Sequence, residues 1–547
     1  MTPVLPLPGG SQDFQLTLTH LLRRMRGVHG GAEVVTALDA EGARRRISSA
    51  ELGERAERLA AGLAALGVRP GDRVGTFSWN NQEHLEAYWG VPCGGAVLHT
   101  LNPRLSAEQV AYTANHAGDT VILADASLAP EVERIAPLLE TVRHFVWIGE
   151  GGDRGLPGAL GYEELLATGG GGFEWPELDE RSAAALCYTS GTTGNPKGVL
   201  YSHRALCLHT LLMAGHDAYR ISERDRVLAV VPMFHAMGWN LAYLAGMVGA
   251  ATILPGRFLG SAQLARLIAE ERATATCGVP TIWMDLLRHA DADPAVDLSS
   301  LELAICGGTQ VPPALMRDFE ARHGVKVTQG WGMTETLPGV TLAHDPPAAG
   351  EEERWGRRET AGRVSPFYEL RIVGADGEVL PNDGAATGEL EIRGPAVAAG
   401  YFESAEASAA ALDDGWLRTG DVGTLDAEGW LRITDRAKDV IKSGGEWISS
   451  VDLESALMAH PAVSEAAVIA IPDERWSERP LACVVAAGVE PEELREFIAP
   501  RVARWWLPSE FAYLEEIPKT SVGKFDKKVL RDMLAEDRLP GRRAVAA

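Results

Sequence analysis

Tyr188-Thr-Ser-Gly-Thr-Thr-Gly-Asn-Pro-Lys-Gly198 is the stretch from which the rest of the chain is read. Four hydroxyls (Thr189, Ser190, Thr192, Thr193), three glycines (Gly191, Gly194, Gly198) and Lys197 share its eleven positions. Glycine lets backbone approach a ligand closely. Successive exposed N–H groups form an anion-binding nest, to which hydroxyls add donors. Lys197 adds a compact positive charge. Apolar residues 183–187 precede the stretch and 199–201 follow it, so it reads as a loop between two strands. The chemistry suits a polyphosphate. It is not the Walker pattern, because no Gly-Lys-Ser/Thr opens a helix.

Outward from this loop, strand and helix patterns alternate. Before it, strands are expected at 32–38, 44–47, 73–78, 96–101 and 120–124. Helices are expected at 16–26, from Ser48 (with Ser49 as cap), and at 82–91 and 106–117. Gly169 to Gly172 reads as a mobile connection. After the loop come helices 204–218, 239–248, 261–271, 282–289 and 312–323, with strands 226–231, 251–254, 275–279 and 303–306 between them. Such alternation argues layered α/β structure with largely parallel sheets. From about Gly362, short strands among turn pairs mark a β-rich subdomain, and residues 435–547 read as a small α+β domain.

Composition bounds the function. At 547 residues the chain exceeds one ordinary domain. Its 51 basic and 75 acidic residues give a formal net charge of −24, which opposes nucleic-acid or anionic-membrane binding as its main business. The six cysteines lack metal spacing and lie mostly in apolar runs, so they read as buried thiols of a reducing, cytoplasmic setting. No signal peptide is evident. The most apolar window, 230–255, carries His235, Trp239 and Asn240 and reads as buried core and pocket lining, so no transmembrane segment is expected.

Four further stretches carry chemistry. In Gln329-Gly-Trp-Gly-Met-Thr-Glu-Thr336, two glycines flank an aromatic ring, and Glu335 offers oxygen to a hard cation. In Trp416-Leu-Arg-Thr-Gly-Asp421, a carboxylate after a tight turn can accept both hydroxyls of a ribose, and Arg436 can add charge. Ile441-Lys-Ser-Gly-Gly-Glu446 allows close approach of a narrow ligand. In Pro518-Lys-Thr-Ser-Val-Gly-Lys524, Gly523 frees the loop that carries Lys524. Taken singly, each is also a turn, a solvated charge or a surface cluster.

Together, in this order, the five stretches resemble the adenylate-forming (ANL) superfamily of acyl-CoA synthetases, luciferases and peptide-synthetase adenylation domains. The tail, with Arg504-Trp-Trp-Leu-Pro-Ser, looks most like the medium- and long-chain fatty acyl-CoA ligase branch. The resemblance implies a large N-terminal domain (1–434), a hinge (435–438, pivoting at Lys438) and a small mobile C-terminal domain (439–547). It implies that ATP is held by Thr189, Ser190, Gly191, Thr192, Thr193, Gly194 and Lys197, with Gly330, Trp331, Gly332, Met333 and Thr334 along adenine and α-phosphate. Asp421 and Arg436 fall on the ribose. Thr192 and Glu335 fall on Mg²⁺, and Lys524 on the carboxylate and α-phosphate. His235, Trp239, Gly307, Gly308 and Gly332 line the acyl site, with Lys197, Lys524 and His235 as the catalytic set. Lys442, Ser443, Gly444 and Gly445 line a coenzyme A channel after the domain rotates. A core histidine and a packed core tryptophan remain open readings of His235 and Trp239. Trp331 stands where tyrosine is common in relatives.

The expected reaction is carboxylate plus ATP to acyl-AMP and pyrophosphate, then transfer of the acyl group to coenzyme A. Fatty acids are the leading substrates. Short, branched, sulfur-containing or aromatic acids are the alternative. A peptide-synthetase module is disfavoured, since no carrier domain follows and no acidic anchor for an ammonium group stands near His235. A non-catalytic nucleotide-binding regulator would have no reason to keep Lys524, Asp421 and the glycine pair together. Relatives of this branch are often homodimers, which makes a dimer an expectation.

Overall fold

The computed structural model describes residues 11–545, apart from 154, 171, 190–194, 348, 444–445, 474 and 521–522. Ser190, Gly191, Thr192, Thr193 and Gly194 of the loop, the Gly444-Gly445 pair and Gly171 of the glycine run therefore lie outside the described residues.

The first sheet has seven strands, in the order Leu160–Gly161, His144–Ile148, Asp119–Asp125, Arg73–Phe77, Val97–Thr100, Ala183–Tyr188, Gly198–Ser202. All neighbours are parallel except the last pair, which is antiparallel and brackets residues 189–197 as expected. Its strands are near-continuous apolar runs because both faces are covered. Helix Gln82–Cys93 is buried at every position, between this sheet and the next.

The second sheet runs parallel through Glu33–Ala37, Ala251–Leu254, Arg226–Leu228, Ala275–Gly278, Leu303–Gly307 and Lys326–Trp331. There it reverses. Thr341–Leu342, Gly362–Val364, Trp430–Arg436, Trp416–Leu425, Gly388–Arg393 and Glu369–Val373 continue it antiparallel. The β-rich section is thus an extension of the large sheet and shares its hydrogen-bond ladder. Asn80, in the loop after Arg73–Phe77, ties the two sheets. Its amide donates to the Ala229 and Val231 carbonyls (2.7 and 2.8 Å) and accepts from Met233 N–H at 2.8 Å. The third sheet, six strands from Ile441 onward, builds the smaller C-terminal domain.

Several local readings change. Ser48, not Ser49, caps the helix Ser49–Ala65, because Glu51 closes a capping box with it. Helix 204–218 is shorter, His203–Met213. The helix expected from Trp239 starts at Leu241, after a turn of left-handed residues at Ala236–Asn240. The lysine-rich end contains strand Glu510–Tyr513 and helix Lys527–Ala535. Asp421 sits inside the strand Trp416–Leu425, opposite Arg436, where a tight turn was expected. The six cysteines are buried and free. Among the described residues no helix is long and apolar enough to cross a membrane.

Candidate active site

A cavity of about 600 Å³ opens at the carboxyl ends of the second sheet's parallel strands, the usual place for ligands in open α/β sheets. Thr189, Lys197, His235, Trp239, Gly307, Gly308, Gly330 to Glu335, Asp421, Arg436, Lys438 and Lys524 all line it. Lys442 and Ser443 lie apart from it, on strand Ile441–Ser443.

Tyr188, just before the Gly/Ser/Thr-rich stretch, has its hydroxyl 2.7 Å from His116 Nδ1. Thr189 N–H donates to the Lys197 carbonyl (2.9 Å), and Lys197 N–H to Thr189 Oγ1 (3.1 Å), so the loop's two ends are tied. Across the cavity Trp331, at the end of Lys326–Trp331, donates its indole N–H to Asp421 Oδ2 at 2.7 Å. Arg436 Nε lies 2.8 Å from Asp421 Oδ1. Each carboxylate oxygen accepts two hydrogen bonds, so Asp421 is oriented by these partners and can still accept from a diol. The indole N–H thus performs a positioning task that sequence alone did not suggest.

Glu335 is buried on the short helical turn Thr334–Thr336. Its Oε1 accepts the Tyr401 hydroxyl at 2.6 Å. The Lys197 ammonium lies 4.8 Å from the centre of the Tyr401 ring. Tyr401 carried no signal beyond a single tyrosine beside glycine, and sequence reasoning gave it no role.

Lys524 comes from the C-terminal domain. Thr520 and Lys524 are joined, Thr520 N–H donating to the Lys524 carbonyl at 2.7 Å. Gly523 adopts φ +81°, and a Cβ there would lie 3.3 Å from Thr281 Oγ1. The positive φ and the close Thr281 hydroxyl favour glycine at this point. Thr281 donates to the Gly523 carbonyl at 3.4 Å. Burial and Arg436 push the Lys524 pKa down to about 8, while Asp421 and Glu335 pull it up. His235 is pushed down to about 3 by burial and by Lys524 and Arg104, so it is neutral. Trp239 reaches across the strand end. A Cβ on Gly307 would sit 3.3 Å from its Cη2 and 2.6 Å from the Gly330 carbonyl, so the cavity's floor requires glycine.

Behind Lys524, Lys527 pairs with Glu454 at 2.6 Å, and Asp435 accepts the Ser450 N–H at 2.6 Å. The Asp435–Ser450 bond ties strand Trp430–Arg436 to helix Ser450–Met458. Nothing in the spacing of these residues announced the pairs.

A cavity lined by Thr189 and Lys197 on one side and by an oriented Asp421 carboxylate on the other has groups suited to a nucleotide. Comparison with known proteins gives the class. Residues 25–402 match the family described as AMP-binding enzyme, and residues 452–524 match the AMP-binding enzyme C-terminal domain. The chain belongs to this family of adenylate-forming enzymes. It is similar to a long-chain-fatty-acid–CoA ligase of Thermus thermophilus, 46% identical over 96% of this chain and 97% of that one. It is also similar to a 3-methylmercaptopropionyl-CoA ligase of Ruegeria pomeroyi, 43% identical over 96% of this chain and 99% of that one. Among solved structures, an anthranilate CoA ligase with anthranoyl-AMP bound matches with a TM-score of 0.87 and 26% identity, over 96% of this chain and 99% of that one.

Proposed function

We propose that the protein is an ATP- and Mg²⁺-dependent fatty acid–CoA ligase. A carboxylate attacks the α-phosphorus of ATP and expels pyrophosphate, giving acyl-AMP. The coenzyme A thiol then attacks the acyl carbonyl and AMP leaves. The observation that carries the reading is Lys524, a buried lysine delivered by the second domain into a cavity already holding Asp421, Arg436 and Glu335.

In this reading the phosphate loop and Lys197 hold the β- and γ-phosphates. Asp421 takes the ribose hydroxyls, steadied by Trp331 and Arg436. Lys524 meets the negative charge that builds on carboxylate and α-phosphate, the fixed-charge stabilisation that usually dominates such sites. Neutral His235 stands at the mouth of the acyl site as a hydrogen-bonding group without charge. Among the described residues no group of three or more His, Cys, Asp or Glu is placed to hold a metal ion. Glu335 is a single oriented carboxylate. That suits Mg²⁺, which takes one or two protein carboxylates and completes its shell with phosphate oxygens and water. Bound there, with Thr192 as second ligand, the ion would supply neutralising charge to the phosphates. Lys442, Ser443, Gly444 and Gly445 serve coenzyme A after the C-terminal domain (439–547) turns about Lys438. The domain division at 435–438, a cytoplasmic location and a homodimer belong to the same proposal.

A second reading is favoured by Trp239 and by the methylmercaptopropionyl relative. The indole lines the cavity beside Gly307, and a bulky ring there suits short or sulfur-containing acids. One assay separates the two. Coenzyme A-dependent AMP release is measured across short, medium, long-chain, sulfur-containing and aromatic acids. The proposal expects thioester with medium and long chains to exceed that with the others. The reverse ranking establishes the second reading, and no thioester with any acid contradicts both.

A further inference from the structure

The segment 398–402 touches two motifs of the site at four points. Ala398 N–H donates to the Glu335 carbonyl at 2.7 Å, and Phe402 N–H donates to the Gly198 carbonyl at 2.8 Å. Between them, Tyr401 donates its hydroxyl to Glu335 Oε1 at 2.6 Å and offers its ring to Lys197 Nζ, 4.8 Å from the centroid. The segment is itself fixed. Tyr401 N–H donates to Ser408 Oγ at 2.8 Å, and Ser408 Oγ–H to the Ser404 carbonyl at 2.7 Å. One side chain therefore contacts both the cation and the carboxylate on which the phosphates and the metal depend.

Lys197 and Glu335 carry opposite charge and long, rotatable side chains. A bare pair of that kind samples many geometries, among them direct contact with each other, which would withdraw both from a ligand. A phenol ring resolves this. Its face attracts the ammonium without neutralising it. Its hydroxyl fixes one carboxylate oxygen.

We propose that Tyr401 is a positioning residue that sets the spacing of Lys197 and Glu335: its hydroxyl aims the Glu335 carboxylate at the Mg²⁺ position, and its ring holds the Lys197 ammonium for the outer phosphates. The proposal rests on the nucleotide-site reading above and is independent of which acid is activated.

The test is an equilibrium one, without acid or coenzyme A. ATP is titrated calorimetrically into the full-length protein over a series of MgCl₂ concentrations and in EDTA. Tyr401→Phe keeps the ring and removes the hydroxyl. It raises the Mg²⁺ concentration that half-maximally tightens ATP by roughly tenfold, the scale of one hydrogen bond to a charged group. ATP affinity in EDTA changes by less than about twofold, because the ring contact to Lys197 survives. Tyr401→Leu also loses the ring and weakens ATP in EDTA by about threefold. In a Glu335→Gln background Tyr401→Phe adds no further shift, because the hydroxyl acts through that carboxylate. Should Tyr401→Leu fail to fold, the phenylalanine series still decides. A Mg²⁺ midpoint unchanged in Tyr401→Phe, or a shift that persists in Glu335→Gln, overturns the proposal. Failure of the unsubstituted protein to bind ATP sinks the nucleotide-site reading instead.

Discussion

Lys524 is a cation kept where its charge is penalised. Burial and Arg436 hold its pKa at about 8, below the ordinary lysine value. A lysine lowered in this way is protonated below about 8 and neutral above it. The proposed adenylation step needs the ammonium, so its kcat/KM falls as pH rises through about 8, since that quantity reports the free enzyme. Lys524→Arg moves the fall to higher pH, because guanidinium stays charged. Acid-dependent pyrophosphate exchange, followed from about pH 7 to about pH 10, checks this. A profile in which both forms fall at the same pH contradicts it. His235, neutral above about 3, does not contribute to that limb. Lys524 and Asp421 were picked out by the joint resemblance of five stretches, since each stretch singly also reads as a turn or a solvated charge, and both line the cavity. Tyr401 was not, because its role comes from contacts with residues 66 and 204 positions away in the chain. The Trp331 hydrogen bond to Asp421 spans 90 positions and was hidden for the same reason.

Among the elements, the turn Ala236–Asn240 places Ala236 and Trp239 in the cavity wall. Its residues have φ of 35°, 46°, 58°, 53° and 63°, and only Gly238 is glycine. Left-handed backbone costs about 1–2 kcal/mol for each L-residue, so the surroundings must hold the turn in place. Buried Asn240 is the clearest support: its amide N–H groups donate to His209 Nδ1 at 3.0 Å and Thr210 Oγ1 at 2.8 Å. Asn240→Ala removes both bonds and strands the buried His209 acceptor. Stability then drops by about 2 kcal/mol, read as a lower urea midpoint with the slope unchanged. An unaltered midpoint means that the turn is held by other contacts. Hydrophobic pattern reported that this segment is buried but carried no information on handedness. That is why a helix from Trp239 was expected where Leu241–Val248 forms. By contrast, Ser48 as cap was readable from Glu51 three residues on, and adjacent serines obscured it. The strand through Asp421 escaped because Thr419-Gly420 looks like a turn locally, while its pairing with Trp430–Arg436 is long-range.

At the scale of the whole molecule, one arrangement of the C-terminal domain is seen. Lys524 is in the cavity, and Lys442 and Ser443 are outside it. Thr281–Gly523 and Asp435–Ser450 join the two parts there. Strand–helix alternation conveyed the layered α/β plan and the separate character of the last hundred or so residues. It did not convey that the β-rich section continues the parallel sheet, since strand pairing is non-local and leaves no mark on local pattern. The proposed function requires this arrangement for acyl-AMP formation and a different one for thioester formation. The two half-reactions of Lys524→Ala, measured separately, test that directly. Acid-dependent ATP–pyrophosphate exchange should fall by about 10²–10³-fold, the scale of losing one group that stabilises transition-state charge. Thioester formation from supplied acyl-AMP and coenzyme A should stay within about threefold of the unsubstituted protein, because the proposed rotation would take Lys524 out of the cavity for that step. An equal loss in both half-reactions would contradict the account.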